Sequence, residues 1–170
     1  MNALHINMNA IWEIAEKAHE GQLDKSGDLY INHLREVSNG LMPFGPVLQA
    51  AGVLHDIVED TDVTAEDLLA QGVPSRVVEI VLLVSRDKSL SYQEWVREVI
   101  CQDYDAALVK LADNAHNSDI ARFKDPSIKV HPMHDRYFRA RQSLLNVVSK
   151  DDARLILHTL NPDLLAELND

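Results

Sequence analysis

The sequence predicts an all-α protein, and three observations carry that prediction. Apolar residues recur at three- and four-residue spacing through most of the 170-residue chain. Helix start signals stand where those patterns begin: Pro46 and Pro74 at first turns, and Thr64 with Asp67 and Ser91 with Glu94 as capping signals. No segment makes a convincing strand. About eight or nine helices account for the pattern, with no internal repeat and no low-complexity stretch.

The first helix spans residues 6–18, where Ile6, Ala10, Ile11, Ile14, Ala15 and Ala18 fall at helical spacing and Gly21 is a natural stop. A polar loop turned by Gly27 follows, and a second helix re-enters at Tyr30 and Ile31, carrying His33, Leu34 and Val37. Gly40, Pro43, Gly45 and Pro46 break the chain ahead of a third helix that runs into AAGVLHDIVEDTD, residues 50–62. The Thr64 signal starts a short helix to Gln71, closed by Gly72. Residues 75–85 hold the β-branched run VVEIVLLV; a strand is the local alternative, and the helical segments on both sides favour a buried helix. Residues 92–101 are helical behind the Ser91 box, with Arg86 and Lys88 in the preceding loop. In the helix over residues 105–120, Ala107, Leu108, Leu111 and Ala112 face the core. Asp125-Pro126 and His131-Pro132 bracket a loop before a long helix, 133–148, carrying Phe138, Leu144, Leu145 and Val148. Asn161 and Pro162 separate two short terminal helices, 152–160 and 163–168.

Length and composition narrow the function classes. A chain of 170 residues fits one domain over 1–170 and buries about 70% of its unfolded surface. There is no run of about 18 apolar residues, and the first residues lack the basic and apolar regions of a signal peptide, so no membrane span and a cytoplasmic location are expected. The single cysteine, Cys101, has no internal disulfide partner and reads as a core residue. A formal net charge of −11 without any basic run argues against a nucleic-acid polymer as partner. A small anionic substrate is compatible with that charge if a metal and a few local cations overcome the overall field.

The chemistry gathers in residues 50–62. On a continuous helix at about 100° per residue, His55, Asp56, Glu59 and Asp60 fall within an arc of about 140°, opposite Ala51, Leu54, Ile57 and Val58. Three clustered carboxylates repel one another and take up protons unless a cation sits among them, and a divalent metal is the economical solution. His134 and Asp135 form a second His-Asp pair, but without following acids they read as a solvated helix face. Further on, Asp113, His116 and Asn117 project together by i+3 and i+4 spacing. Taken singly, Asp113 also fits a plain ion pair with Lys110 one turn earlier, and His33 a satisfied structural histidine.

The order of these residues, His33, then His55 and Asp56 with Glu59 and Asp60, then Asp113 with Asn117, resembles the HD-domain phosphohydrolase superfamily. Within it the chain looks like the hydrolase domain of RelA/SpoT alarmone enzymes and the stand-alone small alarmone hydrolases. The matching pieces are AHEGQLDKSGDLYINHL, AAGVLHDIVEDTD and VKLADNAHN, with a weaker VSRDKSLSYQEWVREV and Arg136 with Tyr137, roughly residues 15–145. The resemblance implies an HD-type helical bundle in which His33, His55, Asp56 and Asp113 bind one divalent metal, typically Mn²⁺. Two imidazoles and two carboxylates also suit Fe²⁺, Co²⁺ or Zn²⁺, so ligand type leaves the ion open.

The activity that the resemblance implies is metal-dependent phosphohydrolysis of a nucleotide, with removal of the 3′-pyrophosphate of (p)ppGpp as the leading reaction. Glu59 and Asp60 are the joint candidates for orienting water and shuttling its proton. Asn117 resembles the family's nucleotide-contacting asparagine. Lys25, Arg86 and Lys88 are the phosphate-clamp candidates, each also readable as a solvated surface cation, and Tyr137 is a candidate flank for the substrate. Asp24 stands where the family commonly has an arginine able to stack on guanine, Leu29 where it usually has proline, and Ile120 where a hydroxyl residue is common. These departures leave the metal chemistry intact and bear on the substrate. The alternatives are a nucleotide phosphatase that releases orthophosphate and a non-catalytic nucleotide-binding HD module; homo-oligomerisation is left open.

Overall fold

Helix α8 (Tyr104–Asn117) runs through the middle of the protein, and every residue from Ala106 to His116 on it is buried. The computed structural model describes residues 6–122 and 133–168. Around α8 pack α2 (Tyr30–Gly40), α3 (Pro46–Leu54), α6 (Ser75–Val84), α9 (Met133–Leu145) and α10 (Lys150–Leu160). Outside these, α1 (Met8–Ala18) lies on α3, α4 (Ile57–Asp60) and α5 (Ala65–Ala70) lie on α6, and α7 (Tyr92–Glu98) lies on α9. Among the described residues the only β-structure is one isolated bridge, Leu23 to Leu29, so the all-α expectation holds.

Local chemistry accounts for five of the helix starts. Asn7, Thr64, Ser91, Asp103 and Ser149 each cap a helix with a side-chain oxygen, and at Thr64 and Ser91 the reciprocal bond from Asp67 or Glu94 completes the capping box. Helix α6 settles the strand alternative: Val77, Val78, Ile80, Val81 and Val84 are buried at helical spacing, and α3 and α8 are its main packing partners. Helices α2 and α3 approach closely at Gly52, where an added Cβ would stand 2.7 Å from Leu41 Cδ1 and 3.3 Å from Ser38 Cα. That proximity brings His33 on α2 beside the end of α3.

Several boundaries differ from the sequence reading. The 92–101 helix ends at Glu98 and a 3-10 turn, Ile100–Gln102, follows. The last element, Pro162–Leu168, is 3-10, and α10 starts at Lys150 because Ser149 supplies its cap. Helix α9 stops at Leu145, and its Phe138 is 47% exposed, so it does not belong to the core face. Cys101 is half-buried, with Sγ directed to the Ser143 carbonyl. The proposed 125–132 loop lies outside the described residues. No helix among the described residues is long and apolar enough to cross a membrane.

The continuous helix expected over 50–62 is interrupted. Helix α3 ends at Leu54, and α4 resumes at Ile57 after a two-residue turn of His55 and Asp56. The His55 ring itself bonds the Gly52 carbonyl through Nδ1 at 2.8 Å, a bond that in an unbroken helix belongs to the next turn's backbone. A single helical wheel therefore does not describe both His55 and Glu59.

Candidate metal centre and active site

Three parts of the bundle converge on one point. Helix α2 supplies His33, the α3–α4 turn supplies His55 and Asp56, and α8 supplies Asp113; one ligand atom from each lies within 4.8 Å of all the others. His33 Nε2 is 3.3 Å from His55 Nε2 and 3.3 Å from Asp113 Oδ1, and 3.8 Å from Asp56 Oδ2. His55 Nε2 is 2.9 Å from Asp56 Oδ2 and 3.5 Å from Asp113 Oδ1. Donors about 2.1 Å from a shared ion stand about 3.0 Å apart at right angles and about 3.4 Å apart at tetrahedral angles. The observed separations bracket those values, so the residues fit a divalent metal. The His55 orientation fits as well: in the neutral ring that a metal requires, Nδ1 donates to a carbonyl, which leaves a lone pair on Nε2.

Each of these side chains is held by a neighbour. Tyr30 donates its hydroxyl to Asp56 Oδ2. Lys110 Nζ sits 2.8 Å from Asp113 Oδ2, and Asn117 Nδ2 donates to Asp113 Oδ1 at 2.6 Å. His33 Nδ1 lies 2.7 Å from Nδ1 of His116. Lys110 and the cluster are thus not alternatives for Asp113, because one carboxylate oxygen serves each.

The electrostatics follow from this packing. Burial raises the Asp56 carboxyl, but the charge and hydrogen bond of His55, with His33 behind it, together outweigh burial and hold it below the usual carboxylate range. Burial likewise opposes ionised Asp113, yet Lys110 and the two imidazoles hold it well below the usual carboxylate range. His55 is disfavoured as a cation by burial, and Asp56 and Asp113 nonetheless lift it well above an ordinary histidine. Burial together with Asp56 pushes the Tyr30 phenol far up, so it stays a neutral donor. His116 goes the other way: burial, with His33 and Arg122 nearby, pushes it down to about 3.

The cluster opens into a cavity of about 580 Å³. Among the sequence candidates, Lys25, Arg86, Asn117, Tyr137, Glu59 and Asp60 line it together with His33, Asp56 and Asp113, whereas Lys88 is exposed on its loop and outside the lining. Glu59 accepts from the Arg86 backbone N–H at 3.0 Å, and Asp60 accepts from Gln22 Nε2 at 3.3 Å. Tyr92 and Arg122, which the sequence reading passed over, also line it, and so does His134, which was expected on a solvated helix face and instead sits half-buried at the cavity. Asp135, next to His134, is exposed and paired with Arg139, as a solvated face would have it.

Tyr92 organises the cationic part of the cavity. The Arg86 and Arg136 guanidinium carbons are 5.8 and 4.6 Å from its ring centroid, and Lys110 Nζ is 5.8 Å from it. The Nε atoms of both arginines are buried without a hydrogen-bond partner. Tyr92 was visible only as the residue after a helix cap, a position that carries no sign of where its ring points.

The three departures from the family pattern sort differently. Asp24 is consumed by its own loop and by Arg122: Oδ1 accepts from the Ser26 N–H, the Ser26 hydroxyl and the Asp28 N–H at 2.8, 2.6 and 3.1 Å, and Oδ2 meets Arg122 Nη2 at 2.6 Å. A guanidinium therefore lines this part of the cavity although the loop carries an acid. Leu29 is 53% exposed at the N-cap of α2, and Ile120 is 40% exposed in a 3-10 turn.

Two histidines and two aspartates brought from three parts of a helical bundle to one point define an HD domain, and this chain belongs to the HD-domain family, whose pattern matches residues 11–128. More particularly, it is homologous to RelA/SpoT-type hydrolase domains. It is 32% identical to the bifunctional (p)ppGpp synthase/hydrolase SpoT of Escherichia coli over 163 residues, 89% of this chain and 22% of that protein. It is 39% identical over 116 residues to a guanosine-3′,5′-bis(diphosphate) 3′-pyrophosphohydrolase of Vibrio cholerae, 61% of this chain and 16% of that one. A GTP pyrophosphokinase of Streptomyces coelicolor is 36% identical over 121 residues, 66% of this chain and 14% of that one. The chain thus spans less than a quarter of each of these curated relatives. A solved structure described as a metazoan ortholog of SpoT that hydrolyzes ppGpp superposes with a TM-score of 0.68 at 28% identity, covering 98% of this chain and 96% of that one.

Proposed function

We propose that this chain, read as one HD-type unit, is a metal-dependent phosphohydrolase that removes the 3′-pyrophosphate of (p)ppGpp-type nucleotides. The observation that carries the reading is the cavity in which the His33, His55, Asp56 and Asp113 cluster and several cationic side chains meet. The relatives whose names describe ppGpp hydrolysis supply the substrate class. Mn²⁺ is the proposed ion, and the donor set also suits Fe²⁺, Co²⁺ and Zn²⁺.

His33, His55, Asp56 and Asp113 hold the metal. When bound, a divalent ion supplies Lewis-acid polarisation of a phosphoryl oxygen and a lowered pKa for water. Water adds to the phosphorus next to the ribose 3′-oxygen, that P–O bond breaks, and pyrophosphate leaves. Glu59 and Asp60, each oriented by a hydrogen bond, take the proton of the water and return one to the 3′-oxygen. Arg86 and Arg136 bring guanidinium groups to the cavity wall, the fork that suits phosphate oxygens. Lys25 adds charge to the same cavity, and Tyr137 flanks the substrate. Asn117 gives one N–H to Asp113 and offers its carbonyl and remaining N–H to the nucleotide. Lys88 on its exposed loop is left as a surface cation.

The test is turnover of guanosine tetraphosphate by the purified protein with and without Mn²⁺, with pyrophosphate and orthophosphate quantified separately. Metal-dependent pyrophosphate release, abolished in Asp56→Ala, is the expected result. Orthophosphate as the product would move the protein to a phosphatase reading, and bound nucleotide without turnover would overturn catalysis.

A further inference from the structure

A neutral imidazole offers a lone pair to a cation through one nitrogen only when the other nitrogen carries the proton. For His55 the backbone makes that choice, since Nδ1 faces the Gly52 carbonyl, which can only accept. For His33 the choice passes to another side chain. Its Nδ1 lies 2.7 Å from Nδ1 of His116, with ring centroids 4.9 Å apart and planes inclined by 33°. Two imidazole nitrogens at that distance share one proton, so one donates and the other accepts. If His116 donated, the remaining proton of neutral His33 would sit on Nε2, the atom that points into the cluster.

We propose that His116 is a positioning residue: it accepts a hydrogen bond from His33 Nδ1–H, fixes the His33 tautomer, and so keeps the Nε2 lone pair directed at the metal site. This deepens the function proposed above and rests on its metal reading. Two features support it. His116 is on α8, three residues beyond Asp113, so the helix that carries one ligand also carries the acceptor for another. It is 7% exposed, and Arg122 Nη1 donates to its carbonyl at 2.9 Å, which holds the last turn of α8 in place. Outer partners of this kind change metal affinity by about 10–100-fold when removed.

The experiment measures Mn²⁺ affinity of the purified chain by titration, with no substrate present. His116→Phe fills the space and has no acceptor, whereas His116→Asn places an oxygen near the position of Nδ1. The proposal expects His116→Phe to lose about 10–100-fold in affinity and His116→Asn to stay close to wild type, both with unchanged helical content. Equal Mn²⁺ affinity in wild type and a folded His116→Phe would overturn it while leaving the metal reading intact; a wild type that binds no Mn²⁺ would overturn both. If His116→Phe fails to fold, long-range ¹⁵N–¹H spectra of the Zn²⁺-loaded wild type decide, and a proton found on His116 Nδ1 would overturn the proposal.

Discussion

Lys110 is 9% exposed, pairs with Asp113 at 2.8 Å, and lies 5.0 Å from the Trp95 ring centroid. Burial opposes its charge, and the Asp113 carboxylate more than restores it, raising its pKa. A buried pair of this kind is costly to break from one side, because the remaining charge is left without its partner. Lys110→Met is therefore expected to destabilise the metal-free protein by about 3 kcal/mol or more. With saturating Mn²⁺ the loss is expected to be smaller, since the cation stands beside the same carboxylate. Urea denaturation with EDTA and with Mn²⁺ checks this, and an equal loss in both conditions would show that Lys110 supports Asp113 independently of any metal.

The same scale explains which site residues were legible. His55 and Asp56 are adjacent and Asp113 and Asn117 one turn apart, so their grouping is local and visible in the chain. His116 was seen to project with Asp113, but its partner His33 is 83 residues away, and no spacing rule reports that. Arg136 was quoted beside Tyr137 without a role, and its stacking on Tyr92 comes from the packing of α7 on α9.

Between elements, the contact that matters is α2 against α3 at Gly52. In an open helix position alanine in place of glycine stabilises by about 0.5–1 kcal/mol. Here the added carbon meets Leu41 Cδ1 at 2.7 Å and Ser38 Cα at 3.3 Å, so a side chain and the α2 backbone must both give way. Gly52→Ala is expected to destabilise by about 1–3 kcal/mol, read as a fall in melting temperature of about 2–4 °C per kcal/mol. Mn²⁺ binding should weaken as well, because α2 carries His33 and the Gly52 carbonyl anchors His55. A raised melting temperature would mean that the two helices are free to separate. The interruption of the helix at His55 and Asp56 belongs to this scale too. Periodicity treats residues 50–62 as one helix, but the imidazole takes the Gly52 carbonyl, and Glu59 and Asp60 reach the cavity from the separate turn α4.

Across the whole molecule, the loop before α2 and the 3-10 turn after α8 are tied by Asp24 and Arg122, 98 residues apart at 2.6 Å. Burial raises the Asp24 carboxyl, but the Ser26 and Asp28 hydrogen bonds and Arg122 outweigh it and leave its pKa below the ordinary 3.8. A carboxyl depressed in the folded state contributes stability that is fully present above its unfolded pKa of about 3.9. That contribution is lost as pH falls through the folded value. Asp24→Asn should thus be less stable than wild type at pH 7, with the difference shrinking as the pH drops below about 4. Chemical denaturation at a series of pH values checks the sign, and a difference that stays constant into acid would show that the charge of Asp24 contributes nothing.

The chain by itself determined the all-α class, most helix starts, and the His55-Asp56 pair with its following acids; His33 and Asp113 joined that pair through the resemblance to the HD family, and the fold brings the four together. Helix periodicity, caps and a His-Asp dipeptide are properties of residues within about four positions of one another, where backbone hydrogen bonding acts. Only the tertiary structure decided that His33 faces His116, that Asp24 is spent on Arg122, and that Arg86 and Arg136 gather on Tyr92. A buried polar group is satisfied by whichever side chain packing brings against it, and that partner is chosen across helices.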